Sequence, residues 1–241
     1  MIPLRDLNPT RRTPVVTYLL IALNILVFLW ELSFSPMQRL GVFMEWAVVP
    51  LNITQNPASA EAVLDILRSM FFHGDWLHLG GNMLYLYLFG DNVEDRFGAI
   101  LYLLLYFTCG FAAVVAQVWI DPNSTVPLVG ASGAIAGILG SYLILFPGVR
   151  VRGIIPLGFF AWFTEWPAFV VLALWFVFQL LSSLMSLGVP TGEEAGGVAF
   201  FAHIGGFVFG AVITLLFMAM LPQPPAEQRR QMLYDRVERY R

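Results

Sequence analysis

The stretch GASGAIAGILGSYLILF, residues 130–146, decides how the rest of the chain is read. It opens with a small-residue turn, Gly130-Ala131-Ser132-Gly133, and then runs without a charge to Phe146. Such a run is read as a membrane span with a serine at its mouth. A second apolar run, Val198 to Leu221, carries His203 in the same manner. Ionisable groups are costly in hydrocarbon and easily avoided, so a base and a nucleophile placed there point to function.

Composition agrees with a membrane setting. Hydrophobic residues make up 58% of the 241, charged residues only 12%, and mean hydropathy is +0.73; soluble domains carry about 25% charge. Six spans are expected, at residues 15–32, 76–90, 99–118, 130–146, 168–187 and 198–221, so the fold class is an all-α polytopic membrane protein. Residues 1–221 then form one membrane domain, and residues 222–241 a charged cytoplasmic tail. Leu233, Val237 and Tyr240 could give that tail an apolar face, though a solvated tail is the simpler reading. The first span lacks a small-residue cleavage site after it and reads as a retained helix.

The cations are all arginine. Eleven of the thirteen fall on one side if the N-terminus is cytoplasmic, leaving only Arg39 and Arg68 outside. This positive-inside bias predicts both termini in the cytoplasm. A net charge of −3 with scattered arginines argues against nucleic acid. Cys109, the only cysteine, reads as a small packing residue in the third span. With only His73, His78 and His203 and no His-Glu-x-x-His motif, neither a metal site nor any other cofactor is expected.

The same topology brings the polar residues to one depth. Spans two, four and six all run from outside to inside. His78 and Ser132 lie at the starts of the second and fourth, and His203 lies about 8 Å into the sixth at 1.5 Å per residue. Asn82 follows His78 by four residues and shares its helix face. Four polar groups therefore converge near the outer surface.

Their chemistry suggests roles. A serine hydroxyl is a poor nucleophile until a base takes its proton, and an imidazole that titrates near about 6.5 is a suitable base. Ser132 falls in a first helical turn, where main-chain N–H groups lack intrahelical partners and can meet a developing oxyanion; His78 and Asn82 can add donors. Asp121, Glu193 and Glu194 lie in loops, so no carboxylate is placed to orient His203, and packing is expected to do so. Gly133 and Gly137 on the fourth span, and Gly206 and Gly210 on the sixth, are small-residue pairs four apart that let helices approach closely. Asn24, Gln117 and Gln179 read as helix–helix contacts, and His73 with Asp75 as an interfacial pair.

These motifs resemble the rhomboid family of intramembrane serine proteases. The resemblance rests on His78-Leu79-Gly80-Gly81-Asn82, on Gly90 to Gly98 with Glu94 and Arg96 inside it, on Gly130-Ala131-Ser132-Gly133, and on Ala202-His203-Ile204-Gly205-Gly206 with Gly210. It implies a rhomboid-like bundle of six transmembrane helices with a long membrane-associated first outer loop, residues 33–72. It implies Ser132 as nucleophile, His203 as base, His78 and Asn82 in the oxyanion hole, and Glu94 and Arg96 as structural residues of a cytoplasmic turn. Some members stack a tyrosine, one turn after the serine, on the histidine; here Ala136 stands in its place. The expected activity is hydrolysis of a peptide bond in or near the transmembrane segment of a single-span or other membrane protein, in a bacterial inner membrane. The oligomeric state is left open. The second reading is a rhomboid-like protein that captures membrane helices without cutting them. A transporter is disfavoured, because no pair of interrupted helices marks an inverted repeat.

Overall fold

The computed structural model describes residues 1–158, 160–186 and 199–221. Nine helices and three strands occur among them: β1 (Ile2–Asp6), α1 (Val15–Glu31), α2 (Pro36–Trp46), α3 (Pro50–Gln55), α4 (Ala60–Ser69), α5 (Trp76–Phe97), α6 (Ala99–Ile120), α7 (Ser132–Leu145), β2 (Arg150–Leu157), β3 (Phe160–Pro167), α8 (Ala168–Ser186) and α9 (Phe200–Met220). The expected tail at 222–241, with Leu233, Val237 and Tyr240, and the loop residues Glu193 and Glu194 lie outside the described residues.

The described residues are mostly helical, and among them three helices are long and apolar enough to cross a membrane: Ala99–Ile120, Ala168–Met185 and Phe200–Met220. Val15–Glu31 and Ser132–Leu145 are shorter apolar helices. The expected second span, 76–90, is the first part of α5, which continues to Phe97 through Asp91, Glu94, Asp95 and Arg96. Its polar last turns lower the helix's average hydropathy.

The all-α expectation is corrected by a three-stranded antiparallel sheet in the order β1-β2-β3. Arg150, Val151 and Arg152 alternate in β2, and Val151 is fully buried while Arg152 pairs with Glu165 on β3 at 2.6 Å. Val, Ile, Phe, Trp and Thr fill the hairpin, and such residues fit a pleated surface. Asp6 ties the sheet to the helices: its carboxylate accepts from Tyr142 Oη at 2.7 Å and from Asn92 Nδ2 at 3.0 Å.

α7 is the hub. Every residue from Gly133 to Tyr142 is buried, and Phe89, Tyr102, Leu105 and Tyr106 of α5 and α6 fill the fully buried core beside it. α5 and α6 are joined without a loop at Gly98, whose φ of +79° permits the reversal.

α1 is held at its N-terminus by a group from another helix. Pro14 supplies no side-chain cap. Instead the Glu94 carboxylate of α5 accepts from Val16 N at 3.0 Å, Thr17 N at 2.8 Å and Thr17 Oγ1 at 2.8 Å. Glu94→Ala strands the two buried main-chain donors, at about 1–3 kcal/mol for each unsatisfied group, while Thr17 Oγ1 keeps Tyr102 Oη at 3.2 Å. The expected outcome is a loss of about 3 kcal/mol or more, read as a lowered Tm in detergent. Glu94→Gln keeps an acceptor oxygen and should lose less; equal melting of wild type and Glu94→Ala contradicts the cap.

The segment entering α7 is pinned to the 33–72 region, which folds as α2, α3 and α4. Leu128 N donates to Val48 O at 2.7 Å, Leu51 N to Ser124 O at 3.1 Å, and Gly130 N to Ser69 O at 2.9 Å. Ser132 is thus presented from a fixed loop.

Candidate active site

Ser132 is the first residue of α7, and His203 the fourth of α9. His203 Nε2 lies 2.7 Å from Ser132 Oγ, a hydrogen-bond distance across the two helices. The approach depends on glycines. A Cβ on Gly206 would fall on the Gly133 carbonyl oxygen, one on Gly210 on the Gly137 carbonyl oxygen, and one on Gly137 on Cys109 Sγ. The α7 and α9 backbones are therefore in direct contact, and Cys109 of α6 fills the space beside them.

The other face of the imidazole supplies what sequence reasoning missed. His203 Nδ1 lies 2.8 Å from Gln179 Oε1 on α8. An amide oxygen only accepts, so Nδ1 carries the hydrogen and Nε2 turns its lone pair to the serine hydroxyl. The Trp175 ring, one turn earlier on α8, lies 6.1 Å from the imidazole at 36°. Orientation therefore does not come from packing alone. Gln179 is the helix–helix contact expected from the sequence, since it joins α8 to α9, but its service as the acceptor for His203 was not read; the signal available was its being the lone amide of a largely apolar span.

A cavity of about 610 Å³ opens beside this pair, with His78, Asn82 and Tyr85 in its lining. Asp75 caps α5 by accepting His78 N at 2.8 Å, and it acts on His73 through its charge rather than through a hydrogen bond. His73 is fully buried. Its Nδ1 donates to Phe71 O at 3.1 Å, and its Nε2 accepts from Asn82 Nδ2 at 3.0 Å. Burial and the neighbouring His78 push the His73 imidazole down to about 4, so it is neutral when it receives the Asn82 amide. The Glu31 carboxylate, also buried, accepts the His73 main-chain N–H at 3.2 Å and completes this support. Neither Glu31 nor the His73–Asn82 bond was anticipated: Glu31 is 42 residues from His73, and His73 and Asn82, nine apart, meet only because the chain turns between His73 and the start of α5.

His78 packs under the turn that opens α7. Gly130 has φ of +130°, and a Cβ there would come within 2.7 Å of His78 Nε2; glycine is required by both backbone and ring. His78 Nδ1 accepts Gly74 N–H at 3.4 Å, which leaves Nε2 as the donor side. The first main-chain bond of α7 is Ile135 N to Ala131 O at 3.0 Å, so the Ser132 N–H ahead of it stands outside the helix ladder. The arrangement can deprotonate a hydroxyl and offer N–H donors beside it.

Gln117 Oε1 on α6 accepts Ala202 N of α9 at 3.3 Å, a helix–helix contact of the kind expected. Asn24 Nδ2 bonds within its own helix, to Leu20 O at 2.7 Å. Glu94 and Arg96 lie in the last turns of α5, away from the Ser132 pair; the Arg96 guanidinium sits 5.6 Å from the Phe97 ring centroid. Among the described residues no three His, Cys, Asp or Glu side chains gather as a metal ion would need.

Comparison with known proteins gives a consistent result. The Rhomboid domain family model matches residues 60–220. Rhomboid protein 1, mitochondrial, of Saccharomyces cerevisiae is 28% identical over 141 residues, covering 56% of this chain and 38% of that protein. The rhomboid protease GluP of Bacillus subtilis is 33% identical over 132 residues, 54% of this chain and 24% of that protein. The human presenilin-associated rhomboid-like protein, mitochondrial, is 27% identical over 200 residues, 79% of this chain and 45% of that protein. The chain spans well under two thirds of the length of these relatives.

Proposed function

The chain belongs to the rhomboid family of membrane proteins, and from that premise we propose that it is an intramembrane serine endopeptidase acting through Ser132 and His203. The observation that carries the reading is the 2.7 Å contact between His203 Nε2 and Ser132 Oγ. His203 takes the serine proton as Oγ attacks a substrate carbonyl carbon; the oxyanion meets the Ser132 N–H, His78 Nε2–H and the second Asn82 amide hydrogen. The imidazolium then gives its proton to the leaving amine, and water, activated in turn by His203, releases the acyl group.

Depth and substrate follow from helix length. α7 has 14 residues, so it measures about 21 Å against about 30 Å of hydrocarbon, and its serine end stops short of one surface. The cavity, mostly apolar but with His78, Asn82 and Gln179 in its lining, gives water a path to that depth. A substrate helix hides its carbonyl carbons, so it must unwind before attack, and helix-breaking residues near the scissile bond should favour cleavage. Substrates on this reading are single-span or other membrane proteins. We read α1, the first part of α5, α6, α7, α8 and α9 as six crossings of a domain over residues 1–221. By the arginine distribution both termini face the cytoplasm of a bacterial cell and the site faces outward across its inner membrane.

The test is cleavage of a single-span membrane protein in liposomes under chelator. Turnover by the wild type, with product ends mapping in or beside the span, supports the reading. Binding of a substrate panel without cleavage overturns it in favour of a capture function.

A further inference from the structure

We propose that Gln179 is the positioning residue for His203, setting which imidazole nitrogen carries the proton and tying that choice to the seating of α8. The inference rests on the reading of Ser132 and His203 as a catalytic pair. Besides Ser132, three side chains among the described residues hold the ring: Trp175 at 6.1 Å, Phe200 edge-on at 6.5 Å, and Gln179 at 2.8 Å from Nδ1. The aromatic contacts fix where the ring lies, but neither distinguishes Nδ1 from Nε2. Only the amide oxygen does so. With Nδ1–H donated to Oε1, the Nε2 lone pair faces Ser132 Oγ; in the other tautomer an N–H faces the hydroxyl and cannot take its proton.

A glutamine suits this place better than a carboxylate. It is 7% exposed in an apolar helix, where an ionised acid would carry a desolvation penalty that an amide avoids. Ala136, one turn after Ser132, has no group that could do the same. Trp175 and Gln179 share one face of α8, and that face is seated on α9 through Trp175 and Phe176 against Phe207, with ring centroids 5.9 and 4.8 Å apart. Lifting α8 from α9 therefore removes the acceptor from Nδ1 and leaves the base without a fixed tautomer.

Gln179→Leu keeps size and deletes the acceptor; Gln179→Glu keeps an acceptor oxygen in either protonation state. We expect Gln179→Leu to lower kcat about 10- to 100-fold with KM within about twofold, and Gln179→Glu to stay within about threefold of wild type. The second readout is the ¹⁵N spectrum of histidine-labelled protein, where His203→Gln identifies the His203 signals among three histidines. Wild type should show a protonated Nδ1 and a bare Nε2, and Gln179→Leu a shift toward Nε2–H. Unchanged His203 signals in Gln179→Leu overturn the proposal, as does equal loss of kcat in the Leu and Glu variants. Absence of Ser132-dependent cleavage in the wild type would overturn the protease reading alone, since the ¹⁵N measurement decides the tautomer without turnover.

Discussion

Gly206→Leu is expected to abolish cleavage and to lower the Tm in detergent by an amount that corresponds to about 3 kcal/mol or more. The cause is backbone against backbone. Any Cβ at this position falls on the Gly133 carbonyl oxygen, and the Gly133 carbonyl carbon lies 3.0 Å away. No side-chain rotamer relieves such a contact, so α7 and α9 must separate. A helix displacement of even 1 Å takes Ser132 Oγ and His203 Nε2 from 2.7 Å to beyond useful proton-transfer distance. Gly80 is the control. It is also helical, but a Cβ there meets nothing within 4 Å, so Gly80→Ala should keep or raise the Tm through its higher helix propensity. A Gly206→Leu protein that melts and cuts like wild type contradicts the close-packed pair.

The second large effect concerns the pair itself. Ser132→Ala and His203→Ala should each lower kcat by at least about a thousandfold, and the double variant should be no worse than the poorer single one. The reason is shared function: without the hydroxyl there is no proton for His203 to take, and without the imidazole the hydroxyl stays a poor nucleophile. Ser132→Ala should melt within a few degrees of wild type, because it removes one oxygen from a cavity wall. Losses that multiply in the double variant would mean that the two residues act independently, and the pair would have to be abandoned as a unit.

These expectations show which parts of the protein were legible in the chain. Ser132, His203 and the Gly133, Gly137, Gly206 and Gly210 spacing were singled out from helical periodicity and an expected span order, and the structure sets Ser132 Oγ 2.7 Å from His203 Nε2 with the glycines where α7 meets α9. Local rules stop there. The acceptor for His203 Nδ1 comes from α8, which no spacing on α7 or α9 reports, and an uncharged glutamine carries no signal in a search for a carboxylate. The Glu94 cap of α1 joins residues 77 and 78 positions apart; its partners are main-chain groups that a sequence cannot distinguish. The sheet was missed for a different reason. β2 and β3 hold eight residues each and sit between apolar helices, where a short apolar run does not separate strand from helix by periodicity. β1 becomes a strand only because β2 is there to pair with it.

The most direct measurement is covalent labelling with a fluorophosphonate, which reacts with a serine only when its hydroxyl is activated. Wild-type protein, labelled in detergent and digested for mass spectrometry, should carry one phosphonyl adduct on the peptide containing Ser132, with none in His203→Ala or in heat-denatured protein. No adduct on Ser132, or an adduct that forms equally fast without His203, would contradict the account.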